Sequence, residues 1–148
     1  MTKVLFLCHG NICRSPIAEF VFKDLIKGRE EEFYVESKAV SSEEIGNPIY
    51  PPARAILREK KIPFNDHRAT KMTAEDYDKF DYIVVMEEYN LPRLNRIIGS
   101  DYDKKVYRLL DFTDKPGDIE DPWYSGNFEK VFNQITYGCK CLLEKIEK

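Results

Sequence analysis

The chain has 148 residues, of which 43% are apolar and 33% charged, and its net charge is −3. Those proportions place it among soluble globular proteins, with enough chain for one domain, residues 1–148, and a core of its own. No apolar run reaches the length of a membrane span, and the acidic balance favours no polyanionic partner such as DNA or RNA.

Met1, Thr2 and Lys3 lead directly into the apolar run Val4 to Leu7, which reads as a buried strand. No h-region or cleavage site precedes it, so a cytoplasmic location is expected. The spacing of Ile17, Ala18, Phe20, Val21, Leu25 and Ile26 predicts a helix over 17–26. Phe33 to Val40 alternates, with Phe33, Val35 and Ser37 opposite Tyr34 and Glu36, and predicts a second strand. Asn47, Pro48, Pro51 and Pro52 mark a loop, and Ala53 to Lys60 a helix. Thr73 to Asp76 has the form of a capped helix start. Tyr82 to Met86 predicts a third strand, Tyr89 to Ile98 a helix with Pro92 in its first turn, and Val106 to Leu110 a fourth strand. A polar loop runs from Asp111 to Gly126, and Phe128 to Ile146 is the longest predicted helix.

This alternation implies an α/β fold of three layers, a four-stranded parallel sheet flanked by helices on both faces. Such sheets bind ligands outside the carboxyl ends of their strands. Cys8 to Ser15 ends the first strand and Asp121 follows the fourth, so both are expected to face one crevice. In a cytosolic chain the four cysteines, Cys8, Cys13, Cys139 and Cys141, are expected to be reduced. Cys139 and Cys141 read as small core residues of the last helix. With only two His in the chain no zinc quartet forms, and no metal or cofactor is expected.

Between the first strand and the first helix stand Cys8, His9, Gly10, Asn11, Ile12, Cys13, Arg14 and Ser15. Gly10 sits where the backbone must fold closely, and Ser15 with Pro16 opens the helix. Backbone N–H groups of such a loop point inward, with the helix N-terminus behind them, and form a nest for an anion. A thiol attacks well only as the thiolate. A helix dipole contributes about 0.3–2 kcal/mol to that ionisation, too little by itself. Two or three hydrogen bonds to the charged sulfur, each roughly 1.5–3 kcal/mol, make up the rest. Backbone N–H groups and the Ser15 hydroxyl are the candidates, so no His base is required. The planar fork of Arg14 suits two equatorial oxygens of a phosphoryl group.

The octet and its flanks resemble the low-molecular-weight protein tyrosine phosphatases over nearly the whole chain. Cys8, Arg14 and Ser15 match the family's Cys-x5-Arg-Ser, and Gly10, Asn11, Ile12 and Cys13 stand in its usual places. Asp121, Pro122, Trp123 and Tyr124 match its Asp-Pro-aromatic-aromatic motif. The resemblance implies a metal-free hydrolase of protein phosphotyrosine and small aryl phosphates, with phosphotyrosine proteins as substrates; a monomer is the default expectation. Cys8 would attack phosphorus and form a phosphocysteine, and Ser15 would stabilise the thiolate. Asp121 would protonate the leaving phenolate and then activate water. His9 to Cys13 would line the pocket, and Trp123 and Tyr124 would form an aromatic wall. Asn11 and Ser37 match a polar pair that holds the loop in shape, supported by His67. Cys13 would form a disulfide with Cys8 under oxidation, sparing the nucleophile from irreversible damage.

Three positions depart from common family patterns. His9 follows the nucleophile where an apolar residue or Thr is frequent, Glu43 stands where many members have an aromatic wall residue, and Trp123 replaces a frequent Tyr. Three rival readings fit these residues less well. Thioredoxin-coupled arsenate reductases need two further cysteines after the third strand, and residues 81–100 hold none. Phosphoarginine phosphatases tend to carry Thr where this chain has Ile12, and an apolar residue there favours a flat aromatic ester. A non-catalytic phosphate-binding module predicts the loss of Cys8, Arg14 or Asp121, and all three are present.

Overall fold

The computed structural model describes all residues, 1–148. Its strands are β1 (Thr2–Cys8), β2 (Phe33–Ala39), β3 (Tyr82–Val85) and β4 (Val106–Arg108), and every pairing is parallel in the order β2-β1-β3-β4. The helices are α1 (Arg14–Leu25), α2 (Pro51–Glu59), α3 (Ala74–Lys79), α4 (Leu91–Ile98), α5 (Pro122–Ser125) and α6 (Phe128–Glu147).

The apolar run that opens the chain organises the rest. Strand side chains alternate between faces. Val4, Phe6 and Cys8 therefore join a core with residues of α1, α2 and α6, while Leu5 and Leu7 join a smaller one with residues of α3 and α4. Val4 to Leu7 has no exposed surface, as a parallel strand covered on both faces requires. The second strand buries Phe33, Val35, Ser37 and Ala39, the face that its alternation predicts. From β1 the chain turns through α1 to β2, and from β3 it turns through α4 to β4 on the opposite side. The crevice outside the carboxyl ends of β1 and β3 is therefore the topological switch point of the sheet.

Several boundaries differ from expectation. Helix α1 starts at Arg14, so Ser15 and Pro16 lie inside its first turn rather than ahead of it. Helix α2 starts at Pro51, because a proline in the first turn gives up no intrahelical hydrogen bond. Strand β4 stops at Arg108, and Leu109–Phe112 winds into a 3₁₀ turn that sets Leu109 against α6. A second 3₁₀ turn, Glu88–Asn90, precedes α4, and the polar loop after β4 contains α5. Thr73 and Asp76 form the expected capping box. Cys139 is wholly buried but Cys141 is only partly covered, so one of that pair is a core residue. No helix is long and apolar enough to cross a membrane.

Candidate active site

The loop from Cys8 to Arg14 bends around a single amide. Asn11 has φ +61°, a left-handed conformation that Asn tolerates better than most residues. Gly10 does not have a positive φ. What comes close to it is the Glu44 side chain, 3.1 Å from where a Cβ would stand. The close fold expected at Gly10 thus falls on its neighbour, because the Asn11 side chain anchors the turn from inside.

Asn11 is fully buried and uses all four of its side-chain hydrogen-bonding positions. Its Nδ2 donates to Ser15 Oγ at 2.8 Å and Ser37 Oγ at 3.0 Å. Its Oδ1 accepts from the Thr70 backbone N–H at 3.1 Å and faces His67 Nε2 at 3.0 Å. Thr70 can only donate there, so the imidazole proton sits on His67 Nε2. Ser37 passes its proton on to Glu19 Oε1 at 2.6 Å, and Lys23 closes the chain on Glu19 Oε2 at 2.6 Å. Burial holds the His67 imidazole below its ordinary pKa of 6.5, although the nearby Glu19 carboxylate opposes this.

This network ends on sulfur. Ser15 already accepts from Asn11, so its own proton points to Cys8 Sγ at 3.0 Å. The Asn11 backbone N–H also points to Sγ, at 3.2 Å. Cys8 itself is 3% exposed, at the carboxyl end of β1. Cys13, the residue before α1, is buried as well. Burial first, and then the negative charges of Cys8 and Asp121, push its thiol far above the ordinary range.

Arg14 is held from behind. Nη1 donates to Glu87 Oε2 at 2.6 Å and to the Ile119 carbonyl at 3.0 Å, while Nη2 lies 3.6 Å from Asp121 Oδ2. Burial works against the Arg14 charge, but the Glu87 bond and the surrounding negative groups more than offset it, and the guanidinium pKa rises. Asp121 caps α5, its Oδ1 accepting from the Trp123 N–H at 3.0 Å. The carboxyl end of the fourth strand thus reaches back to the loop after the first.

The rim differs more from expectation. His9 Nε2 lies 2.9 Å from Glu43 Oε2, and both side chains reach solvent. Ile12 is half-buried beside Gly10. Trp123 does not share a wall with Tyr124, which is 87% exposed. Successive residues on a helix point about 100° apart, so neighbours do not face the same partner. The ring against Trp123 is instead Tyr50, with centroids 4.9 Å apart.

Sequence reasoning missed Glu87, Glu19, Thr70 and Tyr50. Glu87 carried a usable signal, since it follows β3 at the end of the sheet where ligands bind. Glu19 carried none: only the folded helix, with Arg14 to Phe22 all buried, sets this carboxylate inside the molecule. Thr70 acts through its backbone, and Tyr50 sits in a proline-rich loop without periodicity, so neither had a local signal.

Residues 3–148 match the family model described as low molecular weight phosphotyrosine protein phosphatase, and the chain belongs to that family of phosphoric monoester hydrolases. The low molecular weight protein-tyrosine-phosphatase YfkJ of Bacillus subtilis is 40% identical, the alignment covering 100% of this chain and 97% of the relative. Its crystal structure superposes with a TM-score of 0.94 over 99% of this chain and 95% of that one. The human low molecular weight phosphotyrosine protein phosphatase is 42% identical over 96% of this chain and 94% of its own. A Drosophila arginine phosphatase has a TM-score of 0.88 at 29% identity, over 99% of both chains.

Proposed function

We propose that the protein hydrolyses phosphotyrosine in proteins, together with small aryl phosphates, through a phosphocysteine intermediate. The observation that carries this reading is the meeting of three groups at one crevice. The Cys8 sulfur faces two hydrogen-bond donors, the Arg14 guanidinium is pinned by Glu87, and the Asp121 carboxylate stands beside Arg14. Cys8 attacks phosphorus, and the S–P bond forms as the P–O bond to the phenol breaks. Asp121 gives its proton to the departing oxygen. It then takes a proton from water as that water attacks phosphorus, the S–P bond breaks, and phosphate leaves. Arg14 and the loop N–H groups hold the phosphoryl oxygens as charge shifts among them. Ser15 supports the sulfur, and Asn11, Ser37 and His67 hold the loop. His9, Gly10, Ile12 and Cys13 line the pocket, with Trp123 at its mouth. The enzyme works as one cytoplasmic domain and a monomer.

Cys13 adds reversible protection. Peroxide oxidises the Cys8 thiolate to a sulfenic acid, and the Cys13 sulfur displaces water from it to close a disulfide. In Cys13→Ser, peroxide inactivation becomes far less reversible by dithiothreitol. Undiminished recovery in that variant rejects the protective role.

The substrate test compares p-nitrophenyl phosphate, a phosphotyrosine peptide and phosphoarginine in the presence of EDTA, with Cys8→Ser and Asp121→Ala alongside. Turnover surviving Cys8→Ser removes the phosphocysteine route. The likeness to the Drosophila arginine phosphatase supports phosphoarginine as a second reading. The apolar side chain of Ile12 speaks for a flat aromatic ester, and a strong preference for phosphoarginine reverses the substrate assignment.

A further inference from the structure

Helix α5, which carries the Asp121 motif, has little to hold it. It spans four residues, of which only Pro122 is buried, while Trp123, Tyr124 and Ser125 are exposed. Asp121 Oδ1 is fixed to the Trp123 N–H at 3.0 Å, while Oδ2 lies 3.6 Å from Arg14 Nη2, so the orientation of the carboxylate depends on this turn as well as on Arg14. Outside the turn, the Trp123 ring has one aromatic neighbour, Tyr50, at 4.9 Å.

Tyr50 is tied down on its other sides. Its ring lies 6.2 Å from Phe128 at the start of α6. Its backbone N–H donates to the Ile12 carbonyl at 2.9 Å, inside the phosphate loop. It also immediately precedes the two prolines that begin α2. One residue therefore touches the nucleophile loop through its backbone and the acid-bearing turn through its ring. An aromatic pair of this tilted geometry is attractive beyond the area it buries, and it is the aromatic contact this exposed turn makes with the rest of the molecule.

We propose that Tyr50 is a positioning residue for the general acid: its ring braces Trp123 and so keeps the Asp121 carboxyl over the leaving oxygen. The proposal rests on the reading of Asp121 as proton donor. Tyr50 touches no reacting atom, and the backbone N–H that bonds Ile12 is kept in Tyr50→Ala and Tyr50→Phe, so the two halves of its role separate experimentally.

A misplaced acid harms departure of a basic leaving group more than of an acidic one, because an acidic phenolate leaves without a proton. The experiment measures kcat/KM for phenyl phosphate and p-nitrophenyl phosphate with wild type, Tyr50→Ala, Tyr50→Phe and Asp121→Asn. In Tyr50→Ala, phenyl phosphate is expected to lose roughly ten-fold more than p-nitrophenyl phosphate, a fraction of the full general-acid contribution. Tyr50→Phe keeps the ring and restores the wild-type ratio. The rate of Cys8 alkylation by iodoacetate stays at the wild-type value in both Tyr50 variants. Equal losses on the two esters, or a slowed alkylation, overturn the proposal in favour of a general role in loop folding. If Asp121→Asn is selective and Tyr50→Ala is not, Tyr50 alone is excluded. If neither is selective, the acid assignment fails and this proposal fails with it.

Discussion

The side chain of Asn11 carries more of the site than its size suggests. Four hydrogen bonds, each worth about 1 kcal/mol net, meet on one buried amide whose backbone is already left-handed. Asn11→Ala is expected to cost about 2–4 kcal/mol in urea unfolding and to slow alkylation of Cys8, since Ser15 loses the bond that aims its proton at sulfur. His67 makes a pH-dependent contribution. Its folded pKa lies below 6.5, so below that pH the unfolded chain binds more protons than the folded one. Stability is therefore full above about pH 6.5 and is lost as pH falls through the folded value. Urea midpoints taken from about pH 7.5 to about pH 5 should fall more steeply in wild type than in His67→Gln. Both residues matched a family pattern in the sequence, but Glu19, which pairs with this network from α1, did not. A carboxylate within a helical pattern reads as surface until its partners are placed.

Elements were most legible where the signal was local. The uninterrupted run from Val4 to Leu7 foretold a strand buried on both faces, and the alternation of Phe33, Val35 and Ser37 foretold which face of β2 would be covered. The end of β4 was not legible, because Leu109 and Leu110 are apolar and a short apolar run does not distinguish strand from turn. The 3₁₀ turn there matters for packing. A Cβ on Gly138 of α6 would stand 2.6 Å from Leu109 Cγ. Gly138→Ala is accordingly expected to destabilise by about 1–3 kcal/mol, whatever helix propensity it gains. The check is a lowered denaturation midpoint with kcat per folded molecule unchanged. A midpoint at or above wild type shows that Leu109 moves aside at no cost.

Across the whole molecule, the switch point gathers residues that the sequence keeps far apart. The loop after β1, the Glu87 turn after β3, Ile119 and Asp121 after β4 all converge on Arg14. The sheet and its carboxyl-end rule were readable from the order of elements. The partners of Arg14 were not, because pairs 73 and 105 residues apart depend on the assembled sheet. If Arg14 grips phosphate, inorganic phosphate should raise the melting temperature, adding about 2.7 kcal/mol at a hundred times its Kd. Arg14→Lys, which cannot make the planar double contact, should lose most of that rise in a thermal scan. A rise unchanged by Arg14→Lys places the anion elsewhere. The Asn11 amide has a counterpart at this scale. Its partners lie 4, 26, 56 and 59 residues away along the chain, so one functional group registers whether the loop, the second strand and the 67–70 segment have all arrived. Turnover regained during refolding then marks the completion of assembly, and a chain with native helix content but one of those segments out of place is catalytically silent.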